Sequence, residues 1–257
     1  MINKRASKYL QSAIVVAGIG SAASPAAALT CSQLATNFHR PNTTITTAQT
    51  VPAGTFITPT VPPQSITGLP QFCRVAGFTT PTSDSHINFE VWMPETGWNS
   101  KYLQAGCGGF CGSISYNGMA EPLRRGYAAA ATDDGHQASG IDASWAVGHP
   151  EKVVDFGYRA LKETTDVAKD IIMAFNLGSS PRRSYFMGCS NGGREAMMAA
   201  QRYPLNFDGV VAGNPGFHLS HAAIAEVWDT LRFRPLLQKT LRGNPFWPKH
   251  FRIQIWN

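Results

Sequence analysis

The sequence lacks the features that mark membrane-spanning and nucleotide-binding proteins. Its apolar run Ser12–Ala23 is interrupted by glycine and is too short to cross a bilayer as a helix. No Gly-x4-Gly-Lys phosphate loop occurs, and the stretch Gly106-x-Gly108 is followed by Cys111 where a dinucleotide-binding fingerprint needs its third glycine. We therefore expect neither a membrane partner nor a nucleotide cofactor.

Acidic residues are missing from both ends of the chain. Basic residues outnumber acidic ones by 22 to 16, but residues 1–28 and 230–257 hold nine of the basic residues and no acid. The rest of the chain therefore carries 13 basic and 16 acidic residues, without a basic stripe in which aromatic residues are interleaved. Nucleic acid is not expected as a partner.

The first 28 residues have the pattern of a signal peptide. Lys4, Arg5 and Lys8 form a basic segment, Ser12–Ala23 forms the apolar segment, and Ala26-Ala27-Ala28 fits an Ala-x-Ala cleavage site. We expect the mature chain to be secreted or periplasmic, in a compartment where disulfides persist.

The five cysteines are an odd number for an exported chain. Cys31 and Cys73 bracket the N-terminal segment and are the favoured structural pair. Cys107 and Cys111 flank Gly-Gly-Phe and could bridge locally or rearrange with the first pair. Cys189 is then left unpaired.

Strand-like and helix-like segments alternate from Lys101 to Ala212, which favours a mainly parallel sheet with helices on both faces. The alternation in His86–Met93 is typical of a half-buried antiparallel edge strand. Residues 30–70 are rich in Thr and Pro and are expected to form extended segments and loops. The predicted strands are Phe72–Thr79, His86–Met93, Lys101–Ala105, Tyr127–Thr132, Arg183–Met187 and Phe207–Ala212, and the predicted helices are Ala120–Arg125, Lys152–Asn176 and Glu195–Tyr203.

The segment Gly188-Cys189-Ser190-Asn191-Gly192 joins a predicted strand to a predicted helix and fits Gly-x-Ser-x-Gly. In an α/β-hydrolase this turn holds a nucleophilic serine in a strained conformation, and the positions two before and two after it must be nearly free of side chain. Gly188 and Gly192 meet that requirement around Ser190. With Cys189 at the centre the flanking residues would be too large, so Ser190 is the predicted nucleophile. The alternative is a glycine-rich turn without chemistry.

Acyl transfer also needs backbone N–H groups that point at the developing oxyanion. In this fold one N–H belongs to the residue after the nucleophile, here Asn191, and the second comes from a glycine-rich loop after an early strand. Gly108 or Gly109 is the predicted second donor. The alternative is a tight turn braced by Cys107 and Cys111.

Asp134 and His136 follow the predicted strand Tyr127–Thr132, at the end of the sheet where open α/β sheets bind ligands. They are candidates for lining a substrate pocket. Capping of the next turn is the alternative, and it is the more common role of such residues.

Three consecutive segments resemble the tannase/feruloyl esterase family of secreted serine esterases: Gly188–Arg194, Ala199–Pro204 and Phe207–Pro215. A cysteine directly before the nucleophile is characteristic of that family. Further similar segments lie upstream: Tyr102–Phe110, Thr132–His136 and Gly148–Arg159. The resemblance extends from about Cys31 to Asp229. The resemblance implies an α/β-hydrolase that hydrolyses feruloyl, galloyl or related phenolic esters through an acyl-enzyme, with the ester as a small-molecule partner.

The resemblance also implies parts that this sequence is not expected to contain. The family has an Asp and a His far downstream of the nucleophile, beyond a lid domain that holds a structural calcium ion, and a disulfide that joins the cysteine before the nucleophile to one beside the catalytic His. No His-Cys pair occurs here. We therefore expect a weakly active or inactive form without lid, calcium ligands or triad partners. Two alternatives stay open: a non-catalytic secreted protein that binds phenolic ligands, and a lipase or peptidase on the same fold.

The acids after Ser190 offer no convincing triad partner. Glu195 lies inside the predicted nucleophile helix, and Asp208 opens the next strand at the end remote from the site. Asp229 with His250 has the required order and a plausible gap, but both border an unusual tail.

Residues 230–257 have no acid and neither helical nor strand periodicity. We interpret them as an irregular basic tail, consistent with a frameshifted reading frame, with a natural basic surface segment as the alternative. The predicted organisation is a signal peptide at 1–28, the N-terminal part of a hydrolase domain at 29–229, and this tail.

No group of His, Cys and Asp has convincing metal-ligand spacing. Cys107-x3-Cys111 with His86 or His136 could be argued as a zinc site, but export and the family pattern favour disulfides. We expect no metal and no cofactor in this chain.

Overall fold

The computed structural model describes residues 28–216 and 218–243. The predicted signal peptide therefore lies outside the described residues, apart from Ala28. In the described part the strands are β1 Thr43–Val51, β2 Gly54–Ile57, β3 Ser65–Leu69, β4 Phe72–Thr79, β5 Ile87–Pro94, β6 Lys101–Ala105, β7 Ala128–Thr132, β8 Arg183–Cys189 and β9 Gly209–Gly213. The helices are α1 Leu34–Asn37, α2 Tyr116–Arg124, α3 Pro150–Val154, α4 Ala160–Phe175, α5 Asn191–Arg202 and α6 Leu219–Gly243.

Seven strands form one sheet in the order β1-β4-β5-β7-β6-β8-β9. Strands β7, β6, β8 and β9 are parallel to one another, whereas β1, β4 and β5 join them through antiparallel pairings. β2 and β3 form a separate antiparallel pair. The strand-helix alternation after β6 and the parallel half of the sheet confirm the expected α/β-hydrolase-like fold.

Helices cover both faces of the sheet around β7. On one face α4 packs against Val75, Phe89 and Val91, and on the other α2 packs against Phe72 and Trp92. The first four residues of β7 are all alanine and are completely buried. Because alanine adds only a methyl group to each face, both helical layers can pack closely onto this strand.

The strand His86–Met93 was predicted as a half-buried edge, and this prediction is wrong. β5 lies between β4 and β7, and all of its residues except Asn88 are buried. Its polar position Glu90 is satisfied internally, because Arg74 donates to the carboxylate from Nε at 2.9 Å and Tyr116 donates from its hydroxyl at 2.7 Å. Alternation of polar and apolar residues indicated solvent on one face, but the second face is covered by α2 and by the β2-β3 pair.

Residues 30–70 contain more regular structure than expected. The Thr-rich stretch Thr43–Val51 forms β1, which pairs along its length with β4. Threonine is β-branched and favours strands, so the composition that suggested loops is also suited to an edge strand.

The long predicted helix Lys152–Asn176 is present as a continuous helical segment over residues 150–175. It consists of α3, one π-helical turn at Asp155–Arg159, and α4. Asp155 is fully buried within the π-helical turn, where it accepts hydrogen bonds from Ser85 and Arg159.

The expectation that the chain is irregular beyond residue 230 is wrong as far as Gly243, since α6 extends from Leu219 to that residue. Residues 220–233 of this helix are exposed on every side. Leucine, glutamine, lysine and arginine are strong helix formers, so a helix can form here without the periodicity that packing imposes. Residues 244–257 lie outside the described part, and the frameshift interpretation stays a prediction.

All five cysteines lie in the described part of the chain. Cys31 is bonded to Cys73, with Cα atoms 5.5 Å apart, and Cys107 is bonded to Cys111, with Cα atoms 5.3 Å apart. Cys189 is free and exposed. None of the helices that the structure describes is both long and apolar enough to span a membrane.

Candidate functional site

Ser190 occupies the turn between β8, which ends at Cys189, and α5, which begins at Asn191. Its backbone has φ 60° and ψ −116°, a conformation that is rare for a residue with a side chain. Three hydrogen bonds hold the turn. The Ser190 N–H donates to the carbonyl of Gly213 at 3.0 Å, and the Ser190 carbonyl accepts from the Gly216 N–H at 3.2 Å and from the Arg194 N–H at 3.1 Å. The residue is exposed at the end of the sheet.

The glycines around Ser190 are required by close approaches of the backbone. A Cβ atom on Gly188 would lie 2.4 Å from the carbonyl oxygen of Gly192, and one on Gly193 would lie 2.4 Å from that of Gly213. Contacts this short do not occur between real atoms, so any side chain at either position would force the strand and helix apart. The geometry is that of the strand-turn-helix elbow expected from the sequence.

The glycine-rich loop after β6, here called the oxyanion loop (residues 106–111), lies directly against this elbow. Its first N–H, from Gly106, donates to the carbonyl of Met187 at 2.9 Å. A Cβ atom on Gly106 would lie only 2.8 Å from the Cα atom of Gly192. The loop and the residue after the nucleophile are therefore neighbours, although 84 positions separate them in the sequence.

Three backbone amides beside the elbow have no acceptor among the described residues: those of Asn191, Gly108 and Gly109. The Asn191 amide is free because it belongs to the first turn of α5, where no preceding helical carbonyl is available. Gly108 and Gly109 are exposed. The sequence predicted these three amides as oxyanion donors, and that role stays a prediction; the structure brings them to one end of the sheet.

Behind the oxyanion loop lies a buried cluster formed by Glu195, Asp134 and the Cys107–Cys111 disulfide. Glu195 Oε2 accepts the Cys107 N–H at 3.0 Å, and Asp134 Oδ2 lies 3.1 Å from Cys111 Sγ. Burial raises the pKa of Glu195 to about 6, although the hydrogen bond from Cys107 opposes the rise. Burial, followed by the negative charge of Glu195, raises the pKa of Asp134 well above its usual range.

Arg194 and the side chain of Asn191 connect this cluster to the helix. Arg194 Nε donates to Asn191 Oδ1 at 2.7 Å, and its two terminal nitrogens donate to the carbonyls of Phe156 and Gly157. The Asn191 side-chain amide donates to Cys111 Sγ at 3.0 Å. The Asn191 side chain therefore connects the end of the oxyanion loop at Cys111 to α5, and the backbone N–H of Asn191 is one of the predicted oxyanion donors.

The two residues predicted to line a substrate pocket are both buried: Asp134 is 1% exposed and His136 is 4% exposed. Asp134 lies in the cluster behind the oxyanion loop. His136 is stacked on Trp145 with ring centroids 3.8 Å apart, and its two ring nitrogens have no hydrogen-bond partner in the described part of the chain. Burial lowers the pKa of His136. Their role in substrate binding stays a prediction.

A groove of about 810 Å³ borders the elbow. Gly216, whose amide bonds to Ser190, lies on one side, and Met197 and Met198 of α5 supply much of the lining. The groove is therefore largely apolar and open to solvent.

The histidines nearest in sequence to the elbow lie at the start of α6. His218 precedes the helix and His221 is within its first turn, with ring centroids 5.5 Å apart. Within the described ranges, no histidine hydrogen-bonds to the Ser190 hydroxyl. Asp229 lies on the exposed surface of α6, and His250 lies outside the described residues.

The residues described here do not suit the calcium ion that the family resemblance implies. The one group of potential metal ligands found in them consists of Cys107, Cys111, Asp134 and Glu195, all buried. Calcium takes six to eight oxygen ligands, whereas this group offers two carboxyl groups and the sulfurs of a disulfide. We derive no step through calcium.

Sequence reasoning missed Glu195, which it treated only as an unsuitable triad acid. Its role depends on Cys107, which lies 88 positions away. The signal in the sequence was the spacing of Glu195 from Asn191. Residues four apart lie on the same face of a helix, so if the Asn191 side chain faces the oxyanion loop, the Glu195 side chain faces it too.

Comparison with known proteins places this geometry in a family. The sequence model described as "Tannase and feruloyl esterase" matches residues 73–233. An uncharacterised esterase of Xanthomonas campestris pv. campestris is 49% identical over 191 residues, covering 74% of this chain and 32% of that protein. A probable feruloyl esterase B-2 of Aspergillus terreus is 33% identical over 218 residues, covering 83% of this chain and 41% of that protein.

Among solved structures, feruloyl esterase B from Aspergillus oryzae superposes with a TM-score of 0.67 at 34% identity, over 73% of this chain and 37% of that one. The chain thus spans between about a third and two fifths of the length of these relatives. The family match begins within β4 and ends within α6, and it includes the elbow and the oxyanion loop. On these grounds the chain belongs to the tannase and feruloyl esterase family.

Proposed function

We propose that the chain carries the nucleophile and the oxyanion-binding half of a serine esterase that hydrolyses aromatic-acid esters. The observation that carries the proposal is the strained, exposed Ser190 with the unengaged amides of Asn191, Gly108 and Gly109 beside it. A glycine-rich turn without chemistry would not need a serine in this backbone conformation, which residues with side chains adopt only at an energetic cost.

In the proposed reaction, the Ser190 hydroxyl attacks the ester carbonyl carbon, and a base accepts its proton. The carbonyl oxygen becomes the oxyanion, which the amides of Asn191 and of Gly108 or Gly109 stabilise, and the N-terminus of α5 adds a favourable dipole. Collapse of the tetrahedral intermediate leaves an acyl group on Ser190 and releases the alcohol, which takes up the proton. Water then attacks the acyl-enzyme by the same route and releases the acid.

The base of this reaction is not among the described residues that contact Ser190. We therefore expect the 257-residue chain, by itself, to turn over esters slowly, since triad members act as a unit and the loss of one leaves only weak catalysis. The acyl acceptor and the oxyanion donors are the parts that this chain supplies.

Feruloyl and galloyl esters, or related phenolic esters, are the proposed substrates. The names of the relatives and the apolar groove beside the elbow support an aromatic acyl group. We also propose that the protein is secreted or periplasmic, which the two disulfides and the pattern of residues 1–28 support.

Covalent labelling tests the nucleophile. The purified chain would be treated with an aryl fluorophosphonate, whose activated leaving group reacts with an exposed nucleophilic serine, and the adduct would be mapped by mass spectrometry. Because no base contacts Ser190 in the described part, we expect slow formation of one adduct on Ser190, none in Ser190→Ala, and the wild-type rate in the matched neighbour Cys189→Ala. A wild-type chain that binds ferulate but is not labelled would contradict an esterase and favour a phenolic-binding protein instead.

A second comparison tests the acyl group. Over long incubations, we expect the slow release of acid from methyl ferulate to exceed that from a long-chain fatty ester and to disappear in Ser190→Ala. Preference for the fatty ester, or for a peptide, would instead support the lipase or peptidase alternative.

A further inference from the structure

One glutamate of the nucleophile helix reaches across to the oxyanion loop. Glu195 is 3% exposed, and its Oε2 atom accepts the Cys107 N–H at 3.0 Å and lies 3.3 Å from Cys107 Sγ. A Cβ atom on Gly106 would lie 2.9 Å from the same oxygen. The carboxylate therefore fills the space directly behind the first two residues of the loop.

The Cys107 amide needs this acceptor because the sheet does not provide one. β6 ends at Ala105, and the last ladder bond to β8 is made by Gly106. A buried N–H without a partner costs about 1–3 kcal/mol. The glutamate supplies the missing acceptor from α5, so the loop is held by the helix rather than by the sheet.

The other end of the loop is also held by α5. The Asn191 side chain donates to Cys111 Sγ at 3.0 Å, and the disulfide joins Cys111 back to Cys107. Asn191 and Glu195 are four residues apart and lie on one face of the helix. Gly108 and Gly109 lie between these two points of attachment, so the helix that carries the Asn191 amide also sets the position of the loop amides.

Burying a carboxyl group at this position is unfavourable unless it is bonded. Asp134 lies nearby, with carboxyl oxygens of the two residues within 4.8 Å, and the guanidinium of Arg194 is 3.9 Å from Asp134. An apolar side chain of similar size would avoid the desolvation but could not accept the Cys107 amide. The burial is therefore offset by a contact that only a hydrogen-bond acceptor can make.

From this geometry we propose that Glu195 is a positioning residue: it fixes the oxyanion loop against the nucleophile elbow and so sets the separation between the Asn191 amide and those of Gly108 and Gly109. This inference rests on the proposed esterase function of Ser190. It assigns no contact between Glu195 and the substrate.

The test compares three substitutions at Glu195. Glu195→Gln keeps an oxygen that can accept the Cys107 amide, Glu195→Asp keeps the charge but is one methylene too short, and Glu195→Ala removes the acceptor. Glu121→Ala, at a glutamate with 64% of its side chain exposed, is the matched control. For each chain, the second-order rate constant of Ser190 phosphonylation and the amide exchange of residues 106–111 are measured at 25 °C, well below unfolding.

We expect the phosphonylation rate to fall roughly 10- to 100-fold in the Ala and Asp variants, the range that a misplacement of about 1 Å produces. Exchange in residues 106–111 should rise at least about tenfold in both, while β8 and α4 stay protected. The Gln variant should stay within about threefold of wild type in both measurements. The control should be unchanged.

The outcomes separate this inference from the function on which it rests. If the Ala and Asp variants are labelled at the wild-type rate, or if the Gln variant loses as much as the Ala variant, the positioning role is refuted. If wild type is not labelled at all, the proposed function fails. The exchange measurement then still decides whether Glu195 holds the loop, and the Asp variant decides it if the Ala variant does not fold.

Discussion

Substituting Gly188 by alanine is expected to disrupt the elbow. The added Cβ atom would lie 2.4, 2.5 and 2.6 Å from the carbonyl oxygen, carbonyl carbon and Cα atom of Gly192. Ordinary van der Waals contact begins near 3.4 Å, so α5 or β8 must move by about 1 Å. All three atoms belong to the backbone, so no side-chain rotation can relieve the contact.

Overpacking of this kind costs typically 1–3 kcal/mol, and a contact with backbone on both sides belongs at about 3 kcal/mol. For a domain of this size, that corresponds to a decrease of about 6–12 °C in Tm. The control is Gly157→Ala, in the π-helical turn between α3 and α4, where a Cβ atom meets nothing within 4 Å. Alanine there should be neutral or stabilise the helix by about 0.5–1 kcal/mol.

Differential scanning calorimetry of wild type, Gly188→Ala and Gly157→Ala measures the prediction, and fluorophosphonate labelling of Ser190 reports on the elbow itself. We expect Gly188→Ala to lose both stability and labelling. A variant that melts within about 2 °C of wild type and is labelled normally would show that the strand and helix are not packed as described.

Three further substitutions probe the surrounding structure. Burial raises the pKa of Glu195 from 4.5 to about 6, so between these pH values the native state holds a proton that the unfolded state has released. The contribution of Glu195 to the free energy of unfolding is therefore complete below pH 4.5 and is lost as the pH rises through 6. Urea titrations at pH 4.5 and pH 7 measure this. Between pH 4.5 and pH 7, the free energy of unfolding of wild type should fall by about 2 kcal/mol relative to that of Glu195→Gln, and a difference between the two proteins that is the same at both pH values would contradict this. Arg74→Met leaves the buried Glu90 without its cation and should cost about 3 kcal/mol, part of which the double variant with Glu90→Gln should recover in the same assay. Cys73→Ala opens a disulfide that spans 42 positions and should lower the free energy of unfolding by about 4 kcal/mol, whereas Cys189→Ala, at the exposed free thiol, should change it by less than about 0.5 kcal/mol.

The sequence was sufficient for those features whose causes are local. Strands β4 and β6 have the predicted limits, because apolar patterning and flanking turns define them without reference to distant residues. The turn at Ser190 was predicted for a related reason: Gly188 is required by its contact with Gly192, only four positions away.

Features that depend on distant partners were not predicted. The buried position of β5 depends on Arg74 and Tyr116, which neutralise and bond Glu90 from 16 and 26 positions away. A polar residue indicates solvent exposure unless such partners are known, and nothing in a linear pattern identifies them. The same limitation hid Glu195, whose buried partner belongs to a different strand-loop unit.

Helix α6 shows a different limitation. The absence of amphipathic periodicity agrees with the exposure of residues 220–233, whose side chains lie in solvent on every side of the helix. It does not indicate that the backbone is irregular, because intrinsic propensity alone can favour a helix. Amphipathic periodicity indicates that one face of a segment is buried. Its absence was interpreted as an irregular backbone, which does not follow.

The Cys31–Cys73 disulfide has a practical consequence for handling the protein. Cys73 adjoins Arg74 on β4. Through successive strand pairings, Arg74 lies at the same level of the sheet as Tyr185 on β8, with Trp92, Ala129 and Leu103 between them. Tyr185 is five residues before Ser190, which follows the end of β8. At about 3.3 Å per residue, the anchored N-terminal segment is attached roughly 16 Å from the level of the serine as measured along the strands, towards the opposite rim of the sheet. A surface tether or purification tag placed ahead of Leu29 would therefore hold the molecule with its nucleophile facing away from the support, where an incoming ester could reach it.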